Sequence, residues 1–135
     1  MIELSAIPAP DSFIYLASPY SGLEFEQHLR YVYTKLAMKY LAEERLAAYS
    51  PIVSWHAVAY SYKLDKSAEY WDLLNGGFVQ QCSELWVLML PGWEESLGIK
   101  LERDYAEALG KPVRFAYFPP ELNRLLIMDG VGIDG

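Results

Sequence analysis

The sequence predicts an α/β protein: a single domain on an open, doubly wound parallel sheet of four or five strands, covered on both faces. Three observations carry that expectation. Short apolar runs alternate along the chain with longer stretches whose apolar residues recur at helical spacing. The most apolar run, Leu85 to Leu90, shows no strand alternation, as expected of a central parallel strand buried on both sides. The segments between apolar runs are also long enough for crossover helices, which imposes parallel pairing and right-handed connections.

Taken in order, Met1 to Asp11 is a short lead-in punctuated by Pro8 and Pro10, and Phe13 to Ala17 reads as the first buried strand. Ser18-Pro19-Tyr20-Ser21-Gly22 ends it, and Ser21 followed by Glu24 has capping-box spacing. A helix then runs to about Arg45, with Phe25, Leu29, Val32, Leu36 and Tyr40 as its apolar stripe. Leu46 to Tyr49 is a second short strand, stopped by Ser50-Pro51. Val53 to Ser67 has no clean period and reads as an aromatic-polar loop with at most a helical turn, a composition typical of binding loops. Ala68 to Gln81 is helical, with Trp71, Leu74, Phe78 and Cys82 on one stripe and a weak point at Gly76-Gly77. After the central strand comes a helix over Leu97 to Gly110, then a strand at Val113 to Tyr117. Pro119-Pro120 opens a last short helix over Glu121 to Met128, and the tail to Gly135 is Gly-rich. No internal repeat or domain boundary is visible.

Composition narrows the function. At 135 residues and 53% hydrophobic, the chain suits one domain with a sizeable core. A net charge of −7 disfavours a nucleic-acid polymer as partner, since phosphate contacts need a basic face. A mononucleotide needs only a few local donors. One cysteine, Cys82, and no signal-peptide pattern or membrane-length apolar stretch point to a soluble, cytoplasmic protein without membrane attachment. Cys82 sits on an apolar stripe and reads as core. The GxxxxGK[ST] and GxGxxG phosphate loops are missing, as are a zinc-spaced Cys/His cluster and a GxSxG elbow. His28 reads as a helix-surface residue.

One acid stands out. On a helical projection of Leu97 to Gly110, Ile99, Leu101, Tyr105, Ala106, Ala108 and Leu109 cover about half the circumference. Lys100, Arg103, Asp104 and Glu107 gather opposite, yet Glu102 falls in the apolar half, flanked by Ala106 and Leu109. A carboxylate aimed at a core must find partners, shift its pKa or do chemistry. A helix-start carboxylate or a structural ion pair are the competing explanations. In doubly wound sheets ligands bind beyond the carboxyl ends of the strands. Those ends here are Ser18 to Ser21, Ser50-Pro51 with the following loop, and Pro91-Gly92-Trp93 with Ser96.

The residues also match a family. Ile14-Tyr15-Leu16-Ala17-Ser18-Pro19 resembles the opening of the nucleoside 2-deoxyribosyltransferase superfamily. Ser96-Leu97-Gly98, Glu102, Ala106 and Gly110-Lys111-Pro112 resemble its signature, S-x-G-x-x-x-E followed by A-x-x-x-G-K-P, and Ser50-Pro51-Ile52 with His56 fits a third block. Together with Pro91-Gly92-Trp93 the combination is closest to a small branch of that superfamily, over roughly Phe13 to Val113. The resemblance implies a Rossmann-like fold and cleavage of an N-glycosidic bond of a nucleoside or nucleotide, by transfer to another base or to water. It implies Glu102 as nucleophile, Tyr15 as its orienter, and Ser96 near the 5′ end of the sugar. It implies no metal or organic cofactor, and a homodimer or larger homo-oligomer. Substrate contacts are expected from Ser18, Pro19, Tyr20, His56, Gly92, Trp93, Ser96 and Gly98, with Trp55 as a further wall. The superfamily's base-side Asp falls at Asn75 here, which leaves Asn75 for recognition and Asp72 as the acid that can donate a proton. An impaired binding or sensing module is the alternative that Asn75 favours.

Overall fold

A computed structural model of the chain describes residues 12–65, 67–119, 121 and 123–129. The lead-in (1–11) and most of the Gly-rich tail (130–135) lie outside the described residues. Strands β1 (Ile14–Ala17), β2 (Ala48–Tyr49), β3 (Glu84–Leu88), β4 (Val113–Tyr117) and β5 (Leu126–Asp129) form one sheet in the order β2-β1-β3-β4-β5. The first four are parallel and β5 is antiparallel to β4. This is the order of a flavodoxin-like doubly wound sheet, whose crevice lies between β1 and β3, where the chain reverses direction across the sheet.

The strands divide their side chains between two cores, as a period of two requires. Ile14, Leu16, Trp86, Leu88 and Ile127 pack with Ala37 and Leu41 of helix α1 (Glu24–Glu43) on one face. Tyr15, Ala17, Leu85, Val87 and Phe115 pack on the other. There they meet Val79 of α3 (Ala68–Gln81) and Ile99 and Ala106 of α4 (Leu97–Ala108). Tyr15 stands level with Tyr49 on one side and Leu85 on the other, at the centre of that second face.

Four expectations need correction. First, α1 buries Gln27, Thr34, Ala37 and Leu41, while Phe25 is 63% exposed, Leu29 49% and Leu36 36%. The buried polar groups are satisfied locally: Gln27 Nε2 donates to Gly22 O at 3.2 Å and Thr34 Oγ1 to Arg30 O at 2.6 Å. The capping acid is Glu26, which accepts from the Leu23 N–H at 2.8 Å, so Ser21 and Glu24 do not form the box. Second, the expected loop after Ser50 is largely helix α2 (Pro51–Tyr62). Ser50 caps it by accepting from Val53 N–H at 3.2 Å, Pro51 takes the first turn, and Ile52, His56 and Ala59 bury one face. Third, the segment ending at Asp129 is the edge strand β5, because its alternate residue Ile127 joins the first core, rather than a helix. Fourth, α3 has the expected bounds and passes Gly76-Gly77 unbroken, but its buried residues are Asn75 and Val79, with Leu74 and Phe78 each 40% exposed.

Among the described residues no helix is long and apolar enough to cross a membrane.

Candidate active site

The carboxyl ends of β1 and β2 and the starts of α2 and α4 surround a cavity whose remaining wall is α3. Glu102 lies on its floor. Three residues set it there: Ser96 caps α4 by accepting from Ile99 N–H at 3.2 Å, and Ile99 and Ala106 seat the helix on the sheet. Glu102 shares their face, one turn from each, and so meets Tyr15, whose hydroxyl donates a short hydrogen bond to Glu102 Oε2.

The electrostatics follow from the enclosure. Burial, helped by the charge of Asp72, raises the Glu102 pKa from 4.5 to about 7, against the opposing pull of the Tyr15 hydrogen bond. Burial and then Glu102 itself hold the Tyr15 hydroxyl well above its usual value, so it stays a donor. Asp72 lines the same cavity from α3 and has no hydrogen-bond partner among the described residues. Two carboxyl groups therefore face one cavity, and the charge of Asp72 adds to the burial that holds the proton on Glu102.

Asn75 is fixed differently. Its Oδ1 accepts from the Tyr49 hydroxyl at 2.7 Å and its Nδ2 donates to Trp71 O at 2.9 Å. The Tyr49 hydroxyl in turn accepts from Trp55 Nε1–H at 2.9 Å. Tyr49 packs on Tyr15 with ring centroids 5.7 Å apart and stacks on Phe78 at 4.0 Å. The carboxamide, 2% exposed, thus ties α3 to β2 and to the indole wall made by Trp55 and Trp71.

On the opposite side, the Tyr20 hydroxyl and His56 Nδ1 share a hydrogen bond of 2.6 Å. Burial, then His28 and Lys35, push the His56 pKa down, and burial pushes Tyr20 up. Both shifts favour the uncharged forms, a phenol beside a neutral imidazole. His56 is stacked on Tyr31 at 4.3 Å, and its ring also borders a second, outer cavity between α1 and α2.

Of the residues singled out in the sequence, Ser18, Tyr20, His56, Asp72, Asn75, Ser96, Gly98 and Glu102 line the cavity, as does Trp55. Tyr15 lies directly beneath it through its bond to Glu102. Pro19, Gly92 and Trp93 are not in the lining. Trp93 packs against Phe115 in the core, with ring centroids 5.5 Å apart. Gly92 has φ +93°, and a Cβ there would come within 2.8 Å of Arg30 Nη2. Arg30 needs that space: it donates to Ser21 O and, at 3.2 Å, to Pro91 O, joining the loops after β1 and β3. The roles of Arg30, Trp71 and Tyr49 were hidden in the sequence, because each sits within an ordinary helix or strand pattern. Cys82 is 2% exposed and donates to Val79 O at 3.1 Å, as a core residue would.

Among the described residues no three His, Cys, Asp or Glu side chains are grouped to hold a metal ion. No curated protein matches the chain. A family model spanning the four parallel strands, the cavity and Glu102 does match it, over residues 12–117, and the chain therefore belongs to the family described as Domain of unknown function (DUF1937).

Proposed function

We propose that this protein breaks the N-glycosidic bond of a nucleoside or nucleoside 5′-monophosphate, preferably 2′-deoxy, with Glu102 as nucleophile. The observation that carries the reading is the Tyr15–Glu102 pair at the floor of an aromatic-walled cavity with a second carboxyl group, Asp72, facing it. The resemblance of the Ser96–Glu102 and Ala106–Pro112 segments to the nucleoside 2-deoxyribosyltransferase superfamily supports the same chemistry.

In the first step a Glu102 carboxylate oxygen bonds to the anomeric carbon as the carbon–nitrogen bond breaks, and the electron pair leaves with the base. Asp72, which lines the same cavity, relays a proton from solvent to the departing base. Asn75 is not a proton donor and its carboxamide is already engaged. The glycosyl ester then yields to water or to a second base, with Asp72 taking back the proton. The Tyr15 hydroxyl holds one carboxylate oxygen and leaves the other for attack. With the sugar beside Glu102, the base would lie against the indoles of Trp55 and Trp71.

Glu102→Gln keeps size and most hydrogen bonding but removes the nucleophile. We expect a loss of at least about a thousandfold in rate, roughly 4 kcal/mol in barrier, measured by base release from a panel of deoxynucleosides and their monophosphates. A folded Glu102→Gln protein with normal turnover would overturn the reading. A second reading, a module that binds nucleotide without turnover, draws support from Asn75 and from a nucleophile that is half protonated near pH 7. It predicts that long incubation returns the ligand unchanged.

A further inference from the structure

The face of α1 turned away from the core carries an apolar stripe of its own. Phe25, Leu29, Val32 and Leu36 follow one another at steps of four, three and four. At about 100° per residue they fall within roughly 60° of arc, nearly opposite Gln27, Thr34 and Leu41, which face the core. Such spacing makes a seam for a second helix. The core does not use it: Phe25 is 63% exposed and Leu29 49%. From Phe25 to Leu36 the seam is about 17 Å long.

Charge says what fits it. Glu24, His28 and Lys35 lie along one flank of the seam, acidic at the start of the helix and basic beyond its middle, while Lys39 further along is held by Glu43 at 3.0 Å. An antiparallel copy of the same helix, related by a twofold axis level with Arg30 and Tyr31, sets Phe25 against Leu36 and Leu29 against Val32. The same operation brings Glu24 of one copy within a turn of Lys35 of the other, on the same flank. Parallel pairing loses that match and aligns the helix dipoles unfavourably. We propose that α1 is the centre of a twofold homodimer interface, paired antiparallel with α1 of a second copy. Phe25 also borders the outer cavity beside His56, so Leu36 of the second copy would close that cavity at one end. The proposal is independent of the reaction at Glu102.

The test uses the full chain. Sedimentation equilibrium at micromolar concentration should give twice the 15.4 kDa chain mass. Leu29→Glu, with unchanged circular dichroism, should raise the dissociation constant at least about a hundredfold by placing a charge in the seam. Glu24→Lys and Lys35→Glu should each weaken the dimer, and the double variant should restore it. Oxidation of Leu29→Cys should cross-link identical copies, because the two positions lie close to the axis. Phe25→Cys should cross-link only when mixed with Leu36→Cys. A monomer, which would mean that some other part of the chain covers the seam, overturns the proposal. So does a dimer indifferent to Leu29→Glu, or self-cross-linking of Phe25→Cys, which would signal parallel pairing.

Discussion

At the scale of single residues, Tyr15 and Asp72 pull the same carboxyl group in opposite directions. The Tyr15 hydrogen bond lowers the Glu102 pKa, and the charge of Asp72 raises it. If Glu102 must be ionised to react, activity has an acid limb near pH 7. Tyr15→Phe should move that limb to higher pH and Asp72→Asn to lower pH, whatever each does to the maximal rate. A pH–rate profile for each variant checks this; shifts in the same direction would exclude Glu102 as the group titrating. Stability gives a second signature. The folded-state pKa lies above the unfolded 4.5, so the stability from favoured protonation is complete below pH 4.5 and is lost as pH rises through about 7. The loss is at most about 3 kcal/mol. Denaturant titrations should therefore show Glu102→Gln gaining on the wild type between pH 5 and about pH 8, the pattern of a site that trades stability for chemistry. Glu102 was legible in the sequence because one helical projection exposes an acid on an apolar face. Tyr15 looked like any core aromatic, and only resemblance marked it.

At the scale of elements, the sequence reported periodicity faithfully but not which way a face points. The α1 stripe is real, yet the core took the side bearing Gln27, Thr34 and Ala37, whose polar groups are satisfied within the first turns and whose small residue lets the helix approach the sheet. Helix α2 was obscured because Trp55, His56 and Tyr60 blur its period, although Ser50-Pro51 is a capping signal that points to it. Helix α3 had the right bounds, but nothing in its sequence reveals that Asn75 spends both ends of its carboxamide on Tyr49 and Trp71. Asn75→Ala leaves the Tyr49 hydroxyl without its acceptor and should cost about 1–3 kcal/mol in stability, read by urea denaturation. Asn75→Asp sets a carboxylate oxygen against Trp71 O and should destabilise further as pH rises. An Asn75→Asp protein as stable as the wild type at high pH would show that the carboxamide is not the tie between α3 and β2.

At the scale of the whole molecule, the sheet was legible almost throughout, since apolar runs and crossover lengths leave few topologies open; only the antiparallel edge at β5 escaped. The way the loops after β1 and β3 are tied together was not legible, because it depends on contacts between distant segments. Arg30 supplies the clearest one, reaching from α1 to the carbonyls of Ser21 and Pro91. Two loops far apart in sequence are thereby given one opening equilibrium. Amides on both should exchange with solvent deuterium at a common rate, slower than the outer turns of α2 and faster than the central strands. Replacing Arg30 by Lys, which lacks the planar fork, should speed exchange around Ser21 and around Gly92 together while leaving β1 and β3 protected. The two loops would then breathe as a unit while the strands between them, with Tyr15 held on Glu102, stay closed to solvent fluctuation.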